Sequence, residues 1–367
     1  MSLPARPELV GAGPYGAPQL AVPVRLNVNE NPYAPPPAVV AAITQRVAQA
    51  AGQANRYPDR DFTELRHALR DYLAAESGAD FLTADQIWAA NGSNEVMLHV
   101  LQAFGGPGRT VTSFGPTYSM YPEYARDTFT DWRPGEREPD FTINVERAIG
   151  QIDLVNPSVV LLASPNNPTG TALPLATVEA IAQHVAGRAV LVVDEAYAEF
   201  RRPGTPTALG LLPRYPHLAV VRTMSKAFAF AGARLGYLAA AADLVGYLRT
   251  VRLPYHLSAI TQVAALAALE HRQALMEQVA QLRATRARLA GELRRRGLEV
   301  PESDANFVLF GRFADRHAIW QGLLDRGVLI REVGPAGWLR VSAGTEQETD
   351  RFLAALAETM DQVKGKA

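Results

Sequence analysis

Short apolar segments alternate with helical segments through the first two thirds of this chain, and this alternation restricts the fold more than any other feature. Strand-like apolar runs occupy residues 86–90, 109–112, 158–163, 189–193 and 218–223. Helical patterns lie before or between several of them, at residues 63–75, 94–104 and 174–186. Strands connected by helices predict a mainly parallel sheet covered on both faces, which is a doubly wound α/β fold.

The pattern changes after about residue 250. A long helical stretch rich in Ala, Leu, Arg and Gln covers residues 260–296, and it is followed by short strands at 307–310, 328–331 and 338–342. This combination predicts a smaller α+β unit. We therefore expect three parts, namely an extended N-terminal arm (1–25), a large domain (26–250) and a small C-terminal domain (251–367).

Composition excludes several classes of function. The 367 residues contain no cysteine, which excludes disulfides, thiol catalysis and cysteine-ligated metals. A formal net charge of −1 gives no field that would attract nucleic acid or an anionic membrane. The longest segment without a charged residue, 154–178, contains four prolines and so does not fit a membrane-spanning helix. The histidines form no metal-binding pattern and the N-terminus has no apolar signal core, so we expect a cytoplasmic protein without a metal, nucleic-acid or membrane partner.

Lysine is almost absent from the chain. It occurs only at Lys226, Lys364 and Lys366, and the other 33 basic residues are arginines. The last two lysines lie within four residues of the C-terminus, so Lys226 alone lies in the interior of the sequence. A guanidinium neither forms an imine nor loses its proton near neutral pH, whereas a desolvated lysine can do both. Lys226 is therefore a candidate nucleophile.

Polar residues follow the predicted strands, at the sheet edge where open parallel sheets bind ligands. In chain order they are Gly92, Ser93, Asn94, Tyr118, Asn167, Asp194, Tyr197, Ser225, Lys226 and Arg234. The small residues Gly92 and Ser93 at a helix start, together with Ser225 and Arg234, suit a phosphate. A carboxylate directly after an apolar strand needs a cationic or hydrogen-bonding partner. Together with an imine-forming lysine, a phenol, an amide and an aromatic ring, these groups predict pyridoxal 5′-phosphate as the cofactor.

Three segments resemble the fold-type I aminotransferases of the class I/II group: SPNNPTG (164–170), DEAY (194–197) and SKAFAFAGARLG (225–236). Further segments resemble the branch of this group that acts on histidinol phosphate, among them LNVNENP (26–32), RYP (56–58), PTYSMY (116–121), PYHLS (254–258) and LRVSAGT (339–345). The resemblance covers nearly the whole chain in order. It implies a homodimer with shared active sites. Its reaction would be a ping-pong transamination between histidinol phosphate as amino donor and 2-oxoglutarate or glutamate, in histidine biosynthesis.

The resemblance also implies a role for each matching residue. Lys226 would be the Schiff-base lysine, Asp194 would hold the ring nitrogen, and Tyr118 would stack on the ring. The 3′-oxygen would be contacted by Tyr197 and Asn167. The cofactor phosphate would be held by Gly92, Ser93, Asn94, Ser225 and Arg234, and by Tyr57 of the neighbouring subunit. The substrate would be contacted by Tyr15, Asn167, Arg331 and Arg340, the last of which would pair with a carboxylate. One departure is Asn94, because many relatives carry Asp there.

Three alternative functions remain open at this stage. An aromatic-amino-acid aminotransferase on the same scaffold would prefer phenylalanine as donor. A decarboxylase of a phosphorylated amino acid would release carbon dioxide. A binding protein built on an inactive transferase scaffold would lack the absorption band of the bound cofactor, although the presence of Lys226, Asp194 and Arg234 argues against it.

Overall fold

The computed structural model describes residues 3–364 of the chain. Its strands are β1 (Val24–Arg25), β2 (Ile87–Ala90), β3 (Thr110–Thr112), β4 (Phe114–Gly115), β5 (Asp131–Trp132), β6 (Gly135–Glu136), β7 (Val159–Ala163), β8 (Val190–Asp194), β9 (Leu218–Thr223), β10 (Gly236–Ala240), β11 (Phe307–Phe310), β12 (Val328–Leu329) and β13 (Leu339–Ser342). Its α-helices are α1 (Pro37–Ala51), α2 (Thr63–Ser77), α3 (Ser93–Phe104), α4 (Tyr121–Asp127), α5 (Val145–Val155), α6 (Leu175–His184), α7 (Ala242–Val251), α8 (Ala259–Glu270), α9 (Arg272–Arg295), α10 (Arg316–Asp325) and α11 (Glu346–Lys364).

The central sheet has seven strands in the order β2-β10-β9-β8-β7-β3-β5. The five strands from β9 to β5 are parallel to one another, and β10 is antiparallel to both of its neighbours. This confirms the mainly parallel α/β fold expected from the alternation of strands and helices. Strand β10 was not predicted, because its Ala-rich segment also fits a helix and periodicity does not separate the two.

The middle strands are apolar along their whole length, and every residue of β7, β8 and β9 is buried. Strands buried on both faces have this composition, because helices cover both sides of the sheet. The parallel register places Ala163 opposite Asp194 and Asp194 opposite Val221. The loops that follow these strands therefore begin at the same edge of the sheet, and they contain several of the predicted site residues.

The helical stretch predicted over 260–296 is in fact two helices, α8 and α9, which meet at His271. The expectation of one continuous helix was wrong at this point, because no glycine or proline marks the break. The 24-residue α9 contributes to two apolar cores. Leu282 packs in the core around the central sheet, whereas Leu289 packs in a second core with β11 to β13. The domain boundary near residue 250 remains a prediction, and α9 is an element that both cores share.

The N-terminal segment, expected to be extended, forms a strand at its end. β1 pairs in parallel with β12, more than 300 residues later, and Leu26 continues the pairing through its N–H bond to the Leu329 carbonyl at 2.8 Å. This pairing places residues 25–30 beside the edge of the central sheet that carries the polar loops. Within residues 3–364, no helix is both long enough and apolar enough to cross a bilayer.

Candidate active site

A cavity of about 1150 Å³ opens at the carboxyl ends of β7, β8 and β9, where ligands bind in open α/β sheets. Twelve of the predicted site residues line it: Tyr15, Ser93, Asn94, Tyr118, Asn167, Asp194, Tyr197, Ser225, Lys226, Arg234, Arg331 and Arg340. Gly92 lies against the Arg234 side chain at the cavity wall. The structure thus brings together nearly all of the side chains that the sequence analysis selected.

Lys226 lies at the centre of this group. Its Nζ donates a hydrogen bond to the Val28 carbonyl oxygen at 3.0 Å. Burial, together with the positive charges of Arg340 and Arg234, lowers the pKa of Lys226 to about 8, while Glu30 acts in the opposite direction. About a tenth of this amine is then neutral at pH 7, a far larger fraction than for an exposed lysine. The geometry supports the prediction of a nucleophilic lysine.

Asp194 is buried at the end of β8. The Tyr121 hydroxyl donates to one of its carboxylate oxygens at 3.0 Å, and the Ala196 N–H donates to the other at 3.2 Å. Burial raises the pKa of Asp194 to about 6. None of the residues from 3 to 364 supplies it with a basic ion-pair partner, so a protonated ring nitrogen of a ligand would satisfy it. This role of Tyr121 was not predicted, although the tyrosine lies in the PTYSMY segment.

The Tyr197 hydroxyl accepts two hydrogen bonds, from the Asn29 side-chain amide at 3.0 Å and from that of Asn167 at 3.5 Å. The hydroxyl hydrogen of Tyr197 can therefore be donated to a ligand. Asn29 is itself held by Ser342, which donates to its side-chain oxygen and accepts from its backbone N–H. The role of Asn29 was not predicted, and its only signal in the sequence is its position in the LNVNENP segment.

The loop 164–170 holds Asn167 in place. Its neighbour Asn166 is buried and donates to the Pro116 carbonyl at 2.9 Å and to the Thr169 hydroxyl at 2.8 Å. Gly170 has a φ of 77°, which glycine adopts without strain. These bonds hold the loop that presents Asn167 to the cavity.

The start of α3 forms a small cradle. Gly92 has a φ of 88° and its N–H is bonded to the Ala90 carbonyl at 2.7 Å, so glycine contributes the turn rather than a free donor. The N–H groups of Ser93 and Asn94 lie in the first turn of the helix, where no intrahelical acceptor exists, and they can bind an anion. A Cβ on Gly92 would lie 2.5 Å from Nη2 of Arg234, so the guanidinium closes one side of the cradle.

The side chain of Asn94 has its own partners. Its oxygen accepts from the Tyr124 hydroxyl at 2.8 Å and from the Tyr118 hydroxyl at 3.4 Å. Asparagine thereby orients Tyr118, the residue predicted to stack on the cofactor ring. Tyr124 was not predicted as a site residue, and neither was Gly236, which packs directly against the start of α3.

Arg340 on β13 is only 5% exposed. Its guanidinium donates to the Asn167 side-chain oxygen at 2.5 Å and to the Asn27 carbonyl at 2.7 Å, while its Nε is buried without a partner. Burial lowers the pKa of Arg340 to about 10, so it remains charged at neutral pH. In the described part of the chain no carboxylate neutralises it, and an anionic ligand would do so.

Two further arginines line the outer part of the cavity. Arg331 is partly buried, and its guanidinium donates to the Gly16 carbonyl at 3.4 Å. Arg25 on β1 was not selected by the sequence analysis, because it lies in the segment taken for an extended arm. Acidic residues on the cavity wall are Asp194 and Glu30. The basic residues on the wall are Arg25, Lys226, Arg234, Arg331 and Arg340, so the cavity carries more positive than negative charge. This excess fits ligands with several anionic groups.

Tyr57 is not brought into the cavity of its own chain. It is 79% exposed and stacks on Tyr255, with ring centroids 4.4 Å apart and planes at 14°. Its predicted role in the site of a neighbouring subunit stays a prediction.

Comparison with known proteins gives a consistent result. The model of the family "Aminotransferase class I and II" matches residues 22–356. The histidinol-phosphate aminotransferase of Bifidobacterium longum is 56% identical to the chain, over 98% of the chain and 97% of its own length. That of Thermobifida fusca is 58% identical, over 96% of the chain and 95% of its own length. The crystal structure of histidinol-phosphate aminotransferase from Sinorhizobium meliloti in complex with pyridoxal 5′-phosphate is similar with a TM-score of 0.84 and 27% identity, covering 93% of this chain and 92% of that one. Aspartate aminotransferase of Thermus thermophilus with maleate gives a TM-score of 0.79 at 26% identity, covering 92% and 91%.

Proposed function

Since the chain belongs to the class I and II aminotransferase family, we propose that it transfers the amino group of L-histidinol phosphate to 2-oxoglutarate, a step of histidine biosynthesis. The observation that carries this proposal is the presence of three anion-binding positions in one cavity. They are centred on Arg234, whose side chain lies against the start of α3, on buried Arg340, and on Arg331 farther out.

These positions match the anions of the proposed reactants. The cofactor contributes one phosphate, which the free N–H groups of Ser93 and Asn94 suit. Histidinol phosphate has a distal phosphate but no carboxylate, whereas glutamate has two carboxylates. A site that accepts both donors must bind a carboxylate near the reacting carbon and a second anion farther away. Arginine can serve both purposes, because its planar fork binds carboxylate and phosphate in the same way.

The residues of the cavity fit pyridoxal 5′-phosphate. The buried carboxylate of Asp194 has no basic partner in the described chain and would accept the N–H of a protonated ring nitrogen. Lys226 lies on the same cavity wall with a lowered pKa. When bound, the cofactor supplies an aldehyde that captures the amino group and a ring that withdraws electrons from the reacting carbon.

Residues of the chain then carry out the binding and proton transfer. Lys226 Nζ, with its pKa near 8, accepts the proton from the substrate α-carbon and returns it during the exchange. Arg340 and Asn167, joined by a hydrogen bond, orient the α-carboxylate of glutamate or 2-oxoglutarate. Arg331 binds the distal anion. Tyr197, fixed by Asn29, would donate its hydroxyl hydrogen to the 3′-oxygen of the cofactor.

The proposal includes a cytoplasmic homodimer. Its structural support is the surface around Tyr57, where Tyr57, Leu253 and Tyr255 are all exposed. Large apolar side chains grouped on a surface mark interaction sites, and a second copy of the chain is the partner that the predicted role of Tyr57 requires.

The experiment that tests the function is a coupled assay of purified, cofactor-loaded protein against a panel of amino donors with 2-oxoglutarate. We expect the highest kcat/KM for histidinol phosphate, with the Lys226→Ala protein as the inactive control. A preference for phenylalanine would support the aromatic aminotransferase instead. Release of carbon dioxide would indicate a decarboxylase, and the absence of a cofactor absorption band would indicate a binding protein.

A further inference from the structure

The two-stranded ribbon of β1 and β12 has two different faces. One face is apolar and belongs to the second core, and it carries Val24, Leu26, Val328 and Ile330. The other face lines the cavity, and it carries Arg25, Leu329 and Arg331. Because side chains alternate along a strand, burial of the first set fixes the direction of the second. The position of Arg25 on the cavity wall is therefore set by the packing of its neighbours.

The register of the ribbon places Arg25 close to Arg331. Arg25 pairs with Leu329. Arg331 lies two residues beyond the end of β12, and side-chain alternation together with its place in the cavity lining puts it on the same face as Leu329. Given the spacing of strands and the rise per residue, the Cα atoms of the two arginines are about 8 Å apart. Arginine side chains are long enough for both guanidinium groups to reach one ligand placed between them.

Neither arginine has an acidic partner within residues 3–364. The Arg331 guanidinium donates only one long bond, of 3.4 Å, to the Gly16 carbonyl, and the Arg25 side chain makes no hydrogen bond within these residues. Two like charges on one face of a ribbon repel each other. A dianion bound between them would remove this repulsion and satisfy both guanidinium groups.

The other anions of the proposed reaction have positions of their own. Arg234 and the start of α3 suit the cofactor phosphate, and Arg340 suits a carboxylate. We propose that Arg25 acts together with Arg331 to bind the phosphate group of the amino donor, so that Arg25 sets the preference of the cavity for phosphorylated donors. This inference rests on the proposed function.

The test compares histidinol phosphate with histidinol, which lacks the phosphate, as donors for the cofactor-loaded enzyme. Arg25→Gln removes the charge at similar length, and Arg25 is exposed, so the fold should not depend on it. For Arg25→Gln we expect kcat/KM for histidinol phosphate to fall about 10- to 100-fold, mainly through KM, the range for one charge-assisted hydrogen bond. The value for histidinol should change less than threefold.

Two further variants complete the test. Arg25→Lys keeps the charge and should recover part of the lost kcat/KM, but not all of it, because an ammonium lacks the planar fork. Arg351→Gln removes an exposed arginine of α11 outside the cavity and should leave the ratio between the two donors unchanged.

The outcomes separate the two proposals. A wild-type enzyme that prefers histidinol phosphate to histidinol, combined with an Arg25→Gln enzyme that keeps the same preference, would overturn the role of Arg25 alone. Equal losses for both donors in Arg25→Gln would overturn it as well. A wild-type enzyme that does not distinguish the two donors would contradict the proposed function, and the role of Arg25 with it.

Discussion

Gly236 lies directly against the backbone of Ser93. A Cβ atom on Gly236 would overlap the Ser93 amide nitrogen and the carbonyl carbon of Gly92. Gly236 is the first residue of β10 and pairs with Ala90, so the strand supports the turn that directs the N–H groups of Ser93 and Asn94 into the cavity. The antiparallel strand thus positions the proposed phosphate cradle.

Gly236→Ala should displace this cradle, because the overlapping atoms are backbone and cannot rotate away. We expect the dissociation constant of pyridoxal 5′-phosphate to rise at least tenfold and the free energy of unfolding to fall by about 1–3 kcal/mol. Cofactor titration and urea denaturation measure the two effects.

Gly246→Ala is the matched control, since a Cβ at this exposed position in α7 meets nothing within 4 Å. It should stabilise the helix by about 0.5–1 kcal/mol. Unchanged cofactor affinity in Gly236→Ala would contradict the role of the glycine.

Asp194→Asn should stabilise the cofactor-free protein while weakening cofactor binding. The pKa of Asp194 is raised from 3.8 to about 6, so the ionised form is disfavoured in the folded state. Ionisation of this buried carboxyl therefore lowers the free energy of unfolding. The loss is absent below the pKa of the unfolded state, grows between pH 4 and 6, and reaches its full value of about 3 kcal/mol above pH 6. The gain from Asn should therefore be large at pH 8 and small at pH 4. Urea denaturation at both values checks this, and a less stable cofactor-free variant at pH 8 would argue against it.

Lys226→Arg keeps the positive charge but should abolish the visible absorbance band of the lysine-linked cofactor. Turnover should fall at least a thousandfold, because a guanidinium neither adds to the aldehyde nor moves a proton at neutral pH. Circular dichroism should show an intact fold. Multiple-turnover activity within tenfold of the wild type would refute the assignment of Lys226.

Arg331→Ala should reduce the affinity for histidinol phosphate by about 1.5–3 kcal/mol, the value for a charge-assisted hydrogen bond. A larger loss is not expected, because Arg331 is only partly buried and its charge is screened by solvent. Phenylalanine, which has an apolar distal group, should lose much less. Kinetics with both donors measure the difference, and equal losses would favour an aromatic aminotransferase.

Hybrid dimers test whether the active site is shared. Tyr57 is exposed in the single chain and does not reach its own cavity, so we expect its partner site to lie in a second copy. Mixing Lys226→Ala with an impaired Tyr57→Ala protein should restore part of the activity, because one site of each hybrid carries neither lesion. Subunit exchange must be verified independently. No recovery after verified exchange would count against shared sites.

Local patterns were sufficient to predict the buried strands and most of the site. The runs at 218–223 and 307–310 coincide with β9 and β11, because apolar segments between polar loops leave little ambiguity. Asp194 was found for a similar reason, because a carboxylate at the end of an apolar strand contrasts with its neighbours. Lys226 was found because every other lysine lies within the last four residues of the chain.

Residues that act through distant partners could not be predicted in this way. Arg25 faces the cavity only because β1 pairs with a strand more than 300 residues away. Arg222 in β9 is buried beside Glu195 at 2.8 Å, with Glu199 at 3.6 Å, and nothing in its local sequence indicates these partners. Gly236 is constrained by the backbone of α3, which a single sequence does not place next to it.

The sharing of α9 between two cores has a consequence for cooperativity. Leu282 and Leu289 are seven residues apart on one helix, and each is buried in a different core. Neither core is complete without this helix, so loss of packing in one removes helical turns on which the other depends. The two cores should therefore unfold together rather than as independent units. A substitution that loosens the packing around Leu289 should then also lower the stability of the central sheet, although it lies outside that core.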